Sequence, residues 1–370
     1  LNMIIAVPKE IRPGETRVAC TPEIVRKMLS WGYEVRVENT AGTAAGFSDE
    51  DYRQAGARIM ACPEDTYKNA DIVLKIWAPQ ESEERYLKKN MTIIANFQIL
   101  NNPARKETFA KLGTQCFALE LMPRISRAQS MDILSSQSNL AGYKAVIEAV
   151  NASERAVPLM MTAAGTVSPA KVLVLGAGVA GLQAIATAKR LGAQVFAADV
   201  RPQVKEQVES LGARFVDVET DENFENAGGY ATETSAAYQK KQQEAVAEQL
   251  KKTDIAITTA LIPGKKAPVL ITAAMLRQMP RGAVVVDMAA DSGGNVEGSR
   301  EAQITEADGV KIIGNSNLAA GIPYSASKLF ANNIYNFLAP MYNAEQKQIV
   351  FNFFDELVDK TCICKDGAVR

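Results

Sequence analysis

The sequence predicts an α/β protein of two doubly wound, parallel-sheet units, and three observations carry that expectation. Short β-type runs alternate with amphipathic helical stretches along most of the chain. A glycine-rich turn, Gly176-Ala-Gly-Val-Ala-Gly181, directly follows the apolar run Lys171-Val-Leu-Val-Leu175. The chain has 370 residues, and at about 100 to 200 residues per domain that length suits two units, each large enough to bury its own core.

From the N-terminus, the β-type runs are Ile4-Ile-Ala-Val7, Glu34-Val-Arg-Val37, Asp71-Ile-Val-Leu-Lys-Ile76, Thr92-Ile-Ile-Ala95 and Cys116-Phe-Ala-Leu119. Amphipathic stretches lie between several of them. In Thr21-Pro-Glu-Ile-Val-Arg-Lys-Met-Leu-Ser30, Thr21 suits an N-cap and Pro22 the first helical turn. Strands alternating with helices imply a parallel sheet covered on both faces. Around Leu121 to Glu154 the pattern becomes a long helical stretch. A small-residue loop, Ala163-Ala-Gly-Thr-Val-Ser-Pro169, then leads into the glycine turn.

The second unit carries six strand candidates: Lys171 to Leu175, Gln194 to Ala198, Arg214 to Val218, Asp254 to Thr258, Ala283 to Asp287 and Val310 to Ile313. Ser325 to Leu338 has apolar residues at helical spacing, and Gln348 to Val358 reads as a second helix before the turn Lys365-Asp-Gly367. The expected organisation is a first domain over 1–140, completed by returning helices near 325–360, and a dinucleotide-binding domain over 141–324. A cleft is expected between the two.

Forty-one basic residues against 42 acidic leave a net charge of −1, which provides no electrostatic footprint for nucleic acid or anionic lipid. The cysteines, Cys20, Cys62, Cys116, Cys362 and Cys364, are scattered, and with no histidine in the chain no metal site is expected. They read as small buried apolar residues or free thiols. No basic segment precedes a long apolar core at the start, and no stretch reads as a membrane span.

A lone G-x-G-x-x-G match is weak. Here it follows a strand, opens the helix-like run Leu182 to Leu191, and the next strand ends in an acid, Asp199. That is the full context of a Rossmann-type dinucleotide site. Gly176 permits the tight turn, Gly178 lets backbone approach a pyrophosphate, and Gly181 lets helix pack on strand; the N–H groups of Val179 and Ala180 open the helix. Asp199 is placed to accept from an adenosine ribose and to repel a 2'-phosphate, which favours NAD(H). Arg201, beyond Val200, is suited to a 2'-phosphate, to pairing with Asp199 or to stacking on adenine.

Three further segments draw attention. Arg124-Ile-Ser-Arg-Ala-Gln-Ser-Met-Asp132-Ile-Leu-Ser135 is dense in polar side chains after a strand end, where α/β proteins bind ligands, but reads equally as a capped helix start. Asp221 to Thr234 is a polar excursion with a glycine pair that includes Gly229, followed by Tyr230, and by composition is an ordinary surface loop. Thr258-Thr-Ala-Leu-Ile-Pro-Gly264 follows a strand of the second unit and could wall a nucleotide, through Thr259, Ala260 and Leu261. Asp287 and Asn295 are similarly placed but read as turn residues.

Taken together, the segments at Arg124 to Asp132, Gly176 to Gly181 and Thr258 to Gly264 resemble the NAD(H)-binding component of proton-translocating nicotinamide nucleotide transhydrogenases. The likeness extends from Ala6-Val-Pro-Lys-Glu10 to Cys364-Lys-Asp-Gly-Ala368. It implies that Arg124, Gln129 and Asp132, with Ser135 beside them, meet the nicotinamide end, and that the loop holding Tyr230 closes over bound nucleotide. Such a lid would exclude water. The candidate dinucleotide-binding residues are then Gly176, Ala177, Gly178, Val179, Ala180, Gly181, Asp199, Val200, Arg201, Gly229, Thr259, Ala260 and Leu261. The resemblance also implies NADP(H) on a separate component, a membrane-spanning proton-conducting component, and a homodimer. This chain would then sit on the cytoplasmic face of the inner membrane, or the matrix face in an organelle.

The rival reading is an amino-acid dehydrogenase of the alanine dehydrogenase type. Thr16-Arg17-Val18-Ala19 and Asp71-Ile-Val-Leu-Lys75 look like that family's substrate-binding arginine and lysine segments. Oxidative deamination moves protons around an imine, and the family's histidine after the following strand is absent, since that region reads Ile93-Ile-Ala-Asn-Phe97. A third reading is a non-catalytic NAD-binding regulatory module.

Overall fold

A computed structural model of the chain describes residues 3–218 and 236–370. They divide into one unit of residues 1–137 with 319–370 and another of 138–318. The excursion with Gly229 and Tyr230 lies outside the described residues.

The first unit opens with β1 (Ile4–Val7), α1 (Pro22–Leu29), β2 (Glu34–Glu38), α2 (Asp49–Gln54), β3 (Arg58–Met60), α3 (Pro63–Tyr67) and β4 (Ile72–Trp77). It continues with β5 (Thr92–Asn96), α4 (Arg105–Lys111) and β6 (Gln115–Ala118). All six strands pair in parallel in the order β3-β2-β1-β4-β5-β6. That is the doubly wound order, with the chain reversing direction across the sheet beside β1. β4 is buried along Ile72 to Ile76, as a strand covered on both faces must be. Pro22 starts α1 as expected, but Thr21 makes no side-chain cap bond.

α5 (Ile133–Ala152) follows, then a short hairpin, β7 (Met160–Thr162) with β8 (Gly165–Val167). The second unit's sheet is built from β9 (Lys171–Leu175), β10 (Gln194–Ala198), β11 (Arg214–Phe215), β12 (Ile255–Thr258), β13 (Val284–Asp287), β14 (Gln303–Ala307) and β15 (Val310–Gly314). Its order is β11-β10-β9-β12-β13-β15-β14. α6 (Val179–Arg190), α7 (Lys205–Ser210), α8 (Ala236–Leu250) and α9 (Ala273–Leu276) connect them. β14 pairs antiparallel at the edge. Its sequence, Gln-Ile-Thr-Glu-Ala, is mostly exposed, so it lacks the apolar run that marks the central strands.

The chain then returns to the first unit as α10 (Pro323–Leu338), the hairpin β16 (Tyr342–Asn343) with β17 (Gln348–Ile349), α11 (Glu356–Thr361), β18 (Cys362–Lys365) and β19 (Ala368–Val369). β18 pairs antiparallel with β6 and extends the first sheet. The helix expected over Gln348 to Val358 is mostly extended instead. Only its end, from Glu356, is helical, capped by the Asp355 carboxylate on Leu357 N–H. The physical reason is periodicity: Ile349, Phe351 and Phe353 alternate, and both phenylalanines stack on Phe117, with ring centroids 4.5 and 6.4 Å away. The turn at Asp366 and Gly367 is formed with positive φ at both residues.

Candidate functional site

The glycine turn leaves β9 at Gly176, whose φ of +102° is a conformation that favours glycine. A methyl group placed on Gly181 would lie 1.8 Å from the Gly176 carbonyl oxygen, and one on Gly176 would lie 2.4 Å from Thr259 Oγ1. Both glycines are therefore fixed by packing. At Gly178 a methyl group would meet nothing within 4 Å, so this residue bares backbone to open space. Gly178 is the N-cap of α6 and brings no side-chain cap, which leaves the helix's first N–H groups for an anion. The cradle fits a diphosphate.

Asp199, 8% exposed, follows the last residue of β10. Its Oδ2 accepts from Ala177 N at 2.7 Å and Arg201 Nη2 at 3.0 Å, and its Oδ1 from Arg201 N at 2.8 Å and Arg201 Nε at 2.9 Å. These four bonds fill a carboxylate's usual acceptor positions. Asp199 thus braces the glycine turn through Ala177 while Arg201 closes over it. The pairing raises the Arg201 pKa above its usual range. Val200 is exposed between them.

The loop after β12 is fastened from two sides. Thr259 Oγ1 donates to the Gly176 carbonyl at 3.2 Å. Ala260 N donates to Asn295 Oδ1 at 3.0 Å, and Asn295 Nδ2 donates to the carbonyls of Ala260 and Pro268, each at 2.8 Å. Asn295 is fully buried, so it replaces a strand's hydrogen bonds for a stretch of loop. Asp287, also buried, accepts from Ala289 N at 2.9 Å and Val296 N at 3.1 Å. From sequence, both suit either the nucleotide wall or an ordinary turn. Their burial makes them braces of the loop that holds Leu261 and Ile262 exposed.

In the first unit, Arg124 and Gln129 are exposed, and neither side chain makes a hydrogen bond or ion pair among the described residues. Asp132 and Ser135 are committed to each other. Ser135 N and Oγ donate to the Asp132 carboxylate at 2.9 and 2.5 Å, which caps α5. The intervening turn is tied down by α10, where Asn333 and Asn336 donate to the Ser130 carbonyl at 2.9 and 3.1 Å. Arg127 grips Asp355 with both Nη atoms, at 3.0 and 2.6 Å. Sequence reading passed over the two asparagines, whose signal was a polar interruption in the periodicity of Ser325 to Leu338.

The two cations that suggested amino-acid binding are internally neutralised. Arg17, 4% exposed, donates through Nε and Nη2 to Glu15 at 2.8 Å each and through Nη1 to Gln137 at 2.8 Å. Burial would raise the Glu15 carboxyl, but the Arg17 bonds and charge prevail and hold it at about 2. Lys75, 1% exposed, lies 2.9 Å from Glu83 and 3.5 Å from Glu10.

Two doubly wound units, one carrying an open glycine cradle at a strand-to-helix turn, define the class: a two-domain, dehydrogenase-type nucleotide-binding protein. Family models described as the N-terminal and C-terminal domains of alanine dehydrogenase/PNT match residues 6–141 and 145–370. The chain belongs to the alanine dehydrogenase/PNT family. It is 50% identical to the first part of the NAD(P) transhydrogenase alpha subunit of Rhodospirillum rubrum over 374 residues, covering 99% of this chain and 97% of that one. The crystal structure of transhydrogenase from Sinorhizobium meliloti matches with a TM-score of 0.91 at 48% identity, covering 99% of this chain and 100% of that one. An L-alanine dehydrogenase structure matches at 0.80 and 26% identity, covering 99% and 96%. The chain is thus a transhydrogenase alpha-subunit type of the family. Among the described residues, no helix is long and apolar enough to cross a membrane.

Proposed function

We propose that this chain binds NAD(H) and exchanges hydride directly with NADP(H) held by a separate component, in a complex whose membrane-spanning component conducts protons. The observation that carries the binding reading is the glycine turn, with Gly176 and Gly181 packed shut and Gly178 open. When bound, the dinucleotide supplies the hydride at its nicotinamide carbon. Everything else asked of this chain is holding and orienting.

The first turn of α6 binds the diphosphate through unpaired N–H groups, and Asp199 meets the adenosine ribose. Because Arg201 fills acceptor positions on that carboxylate, a ribose diol is accepted there in exchange for the Arg201 side chain. Arg124 and Gln129, uncommitted among the described residues, orient the nicotinamide end. Asp132 and Ser135 hold the turn that presents them. Direct transfer between two carbon centres needs proximity, alignment and water exclusion rather than a general acid or base. That requirement suits a chain without histidine whose Arg17 and Lys75 are neutralised, and it disfavours deamination of an amino acid. The complex carries the chain as a homodimer on the cytoplasmic face of the inner membrane, or the matrix face in an organelle.

The test mixes the purified chain with NADH, NADP and the NADP-binding component of a related transhydrogenase, and follows NADPH, with L-alanine plus NAD as a second assay. NADPH formed only with all components is the expected result. NADH binding without NADPH formation would leave a non-catalytic NAD-binding module, and alanine-dependent reduction of NAD would restore the rival.

A further inference from the structure

From the pairing of β6 with β18 we infer that Cys116 and Cys364 form an oxidant-sensitive dithiol, closing reversibly to a disulfide that staples the C-terminal hairpin to the first unit's sheet. The register carries the inference. Cys364 stands directly opposite Cys116, Cys362 stands opposite Phe117, and the register shifts between the two pairs. One extra residue on β18, Ile363, makes that shift and turns neighbouring cysteines to opposite faces. Cys116, Ile363 and Cys364 join one apolar cluster, whereas Cys362 and Phe117 join the cluster across the sheet. Without the bulge, Cys362 and Cys364 would share a face and the match would be lost.

Directly opposed residues of an antiparallel pair have Cα atoms about 4.5 to 5.5 Å apart, within the range of about 4.4 to 6.8 Å that a disulfide spans. The side chains converge as well. Both thiols meet Thr114. Thr114 Oγ1 lies 3.3 Å from Cys116 Sγ, and the Thr114 carbonyl oxygen 3.5 Å from Cys364 Sγ. The pair is asymmetric. The neighbouring Cys116 thiol draws the Cys364 thiol below its usual range despite burial, while burial pushes Cys116 up. Cys364 lies on the edge hairpin and Cys116 on the strand inside it, so Cys364 is the sulfur that local opening presents first.

With a peroxide as oxidant, the Cys364 thiolate attacks one peroxide oxygen, the O–O bond breaks, and water leaves with a proton taken up. The resulting sulfenic acid is attacked by the Cys116 sulfur. The S–S bond forms, the S–O bond breaks, and a second water carries off the remaining proton. Two thiols and one peroxide become one disulfide and two waters. Both sulfurs are buried, so the reaction waits on local opening of the β18–β19 hairpin at the edge of the sheet.

The test treats the whole protein with hydrogen peroxide just below its melting point, then blocks free thiols, digests without reductant and maps peptides by mass. A Cys116–Cys364 linked peptide, reversed by dithiothreitol, is expected. It should persist in Cys362→Ser, vanish in Cys364→Ser, and raise Tm of the oxidised protein by about 5 °C over the reduced one. Both thiols recovered free, both carried on to sulfinic acid, or a link through Cys362 instead, would overturn the inference in the wild-type protein without any variant.

Discussion

Arg201 competes with the nucleotide for Asp199. Its guanidinium makes two of the four hydrogen bonds that fill the carboxylate, and it stays about a third exposed, so the pair contributes on the order of 1 kcal/mol. Arg201→Ala should then tighten NADH binding by about fivefold, because that contribution no longer opposes the ribose. Asp199→Asn should act oppositely. It removes the charge that attracts a diol, weakens the brace to Ala177 N–H, and frees Arg201 for a 2'-phosphate. NADH affinity should fall about tenfold or more, as for a lost bond to a charged group, with a relative gain for NADPH. Titration of both nucleotides against both variants checks this. Weaker NADH binding by Arg201→Ala would mean that the guanidinium serves the nucleotide directly.

The same logic operates between elements, where α5 positions α6. A methyl group on Gly142 would lie 2.1 Å from the Ala180 carbonyl oxygen, so the middle of α5 touches the first turn of the fingerprint helix backbone to backbone. Gly142→Ala should push that turn away, destabilising the protein by about 1 to 3 kcal/mol. It should also weaken NADH binding about tenfold through displaced N–H groups. Val146→Ala, a buried change on the same helix, should match the stability loss, of roughly 1 to 2 kcal/mol, while sparing affinity. Equal affinity losses in the two variants would make the glycine a packing residue only. Nothing in the sequence around Gly142 announced this contact, whereas the strand, turn and acid from Lys171 to Asp199 were legible because each has a local signature. The central strands were legible for the same reason, as continuous apolar runs. β14 and β18 were not, since an exposed edge strand and a strand recruited from the far end of the chain are defined by long-range pairing. Asn295 and Asn333 escaped because a buried asparagine looks like a turn residue until its partners are placed.

For the molecule as a whole, the missing histidine exposes what the buried carboxyls do to stability. No side chain of ordinary pKa titrates between about pH 5 and 8 in such a chain, so the slope of stability there belongs to displaced groups. Glu10 is the foremost. It is 8% exposed, accepts from Ile76 N at 2.7 Å, and shares Lys75 with Glu83. Burial raises it from 4.5 to about 7, beyond what Lys75 and the Ile76 bond offset. The folded state therefore holds a proton that the unfolded state releases from about pH 4.5 upward. Stability present below the unfolded pKa is lost as pH rises through the folded one, about 3 kcal/mol across this window. Glu15 runs the other way. It is held at about 2, so its contribution is present above 4.5 and is lost as pH falls toward 2. Glu38 and Glu120, also raised by burial, add to the descending limb. Glu10→Gln, a neutral mimic of the protonated acid, should flatten most of that limb and leave the acid limb unchanged when denaturant midpoints are measured from pH 3 to pH 8. A wild-type slope retained by Glu10→Gln would assign the limb to Glu38 and Glu120, and Glu38→Gln and Glu120→Gln would then carry it.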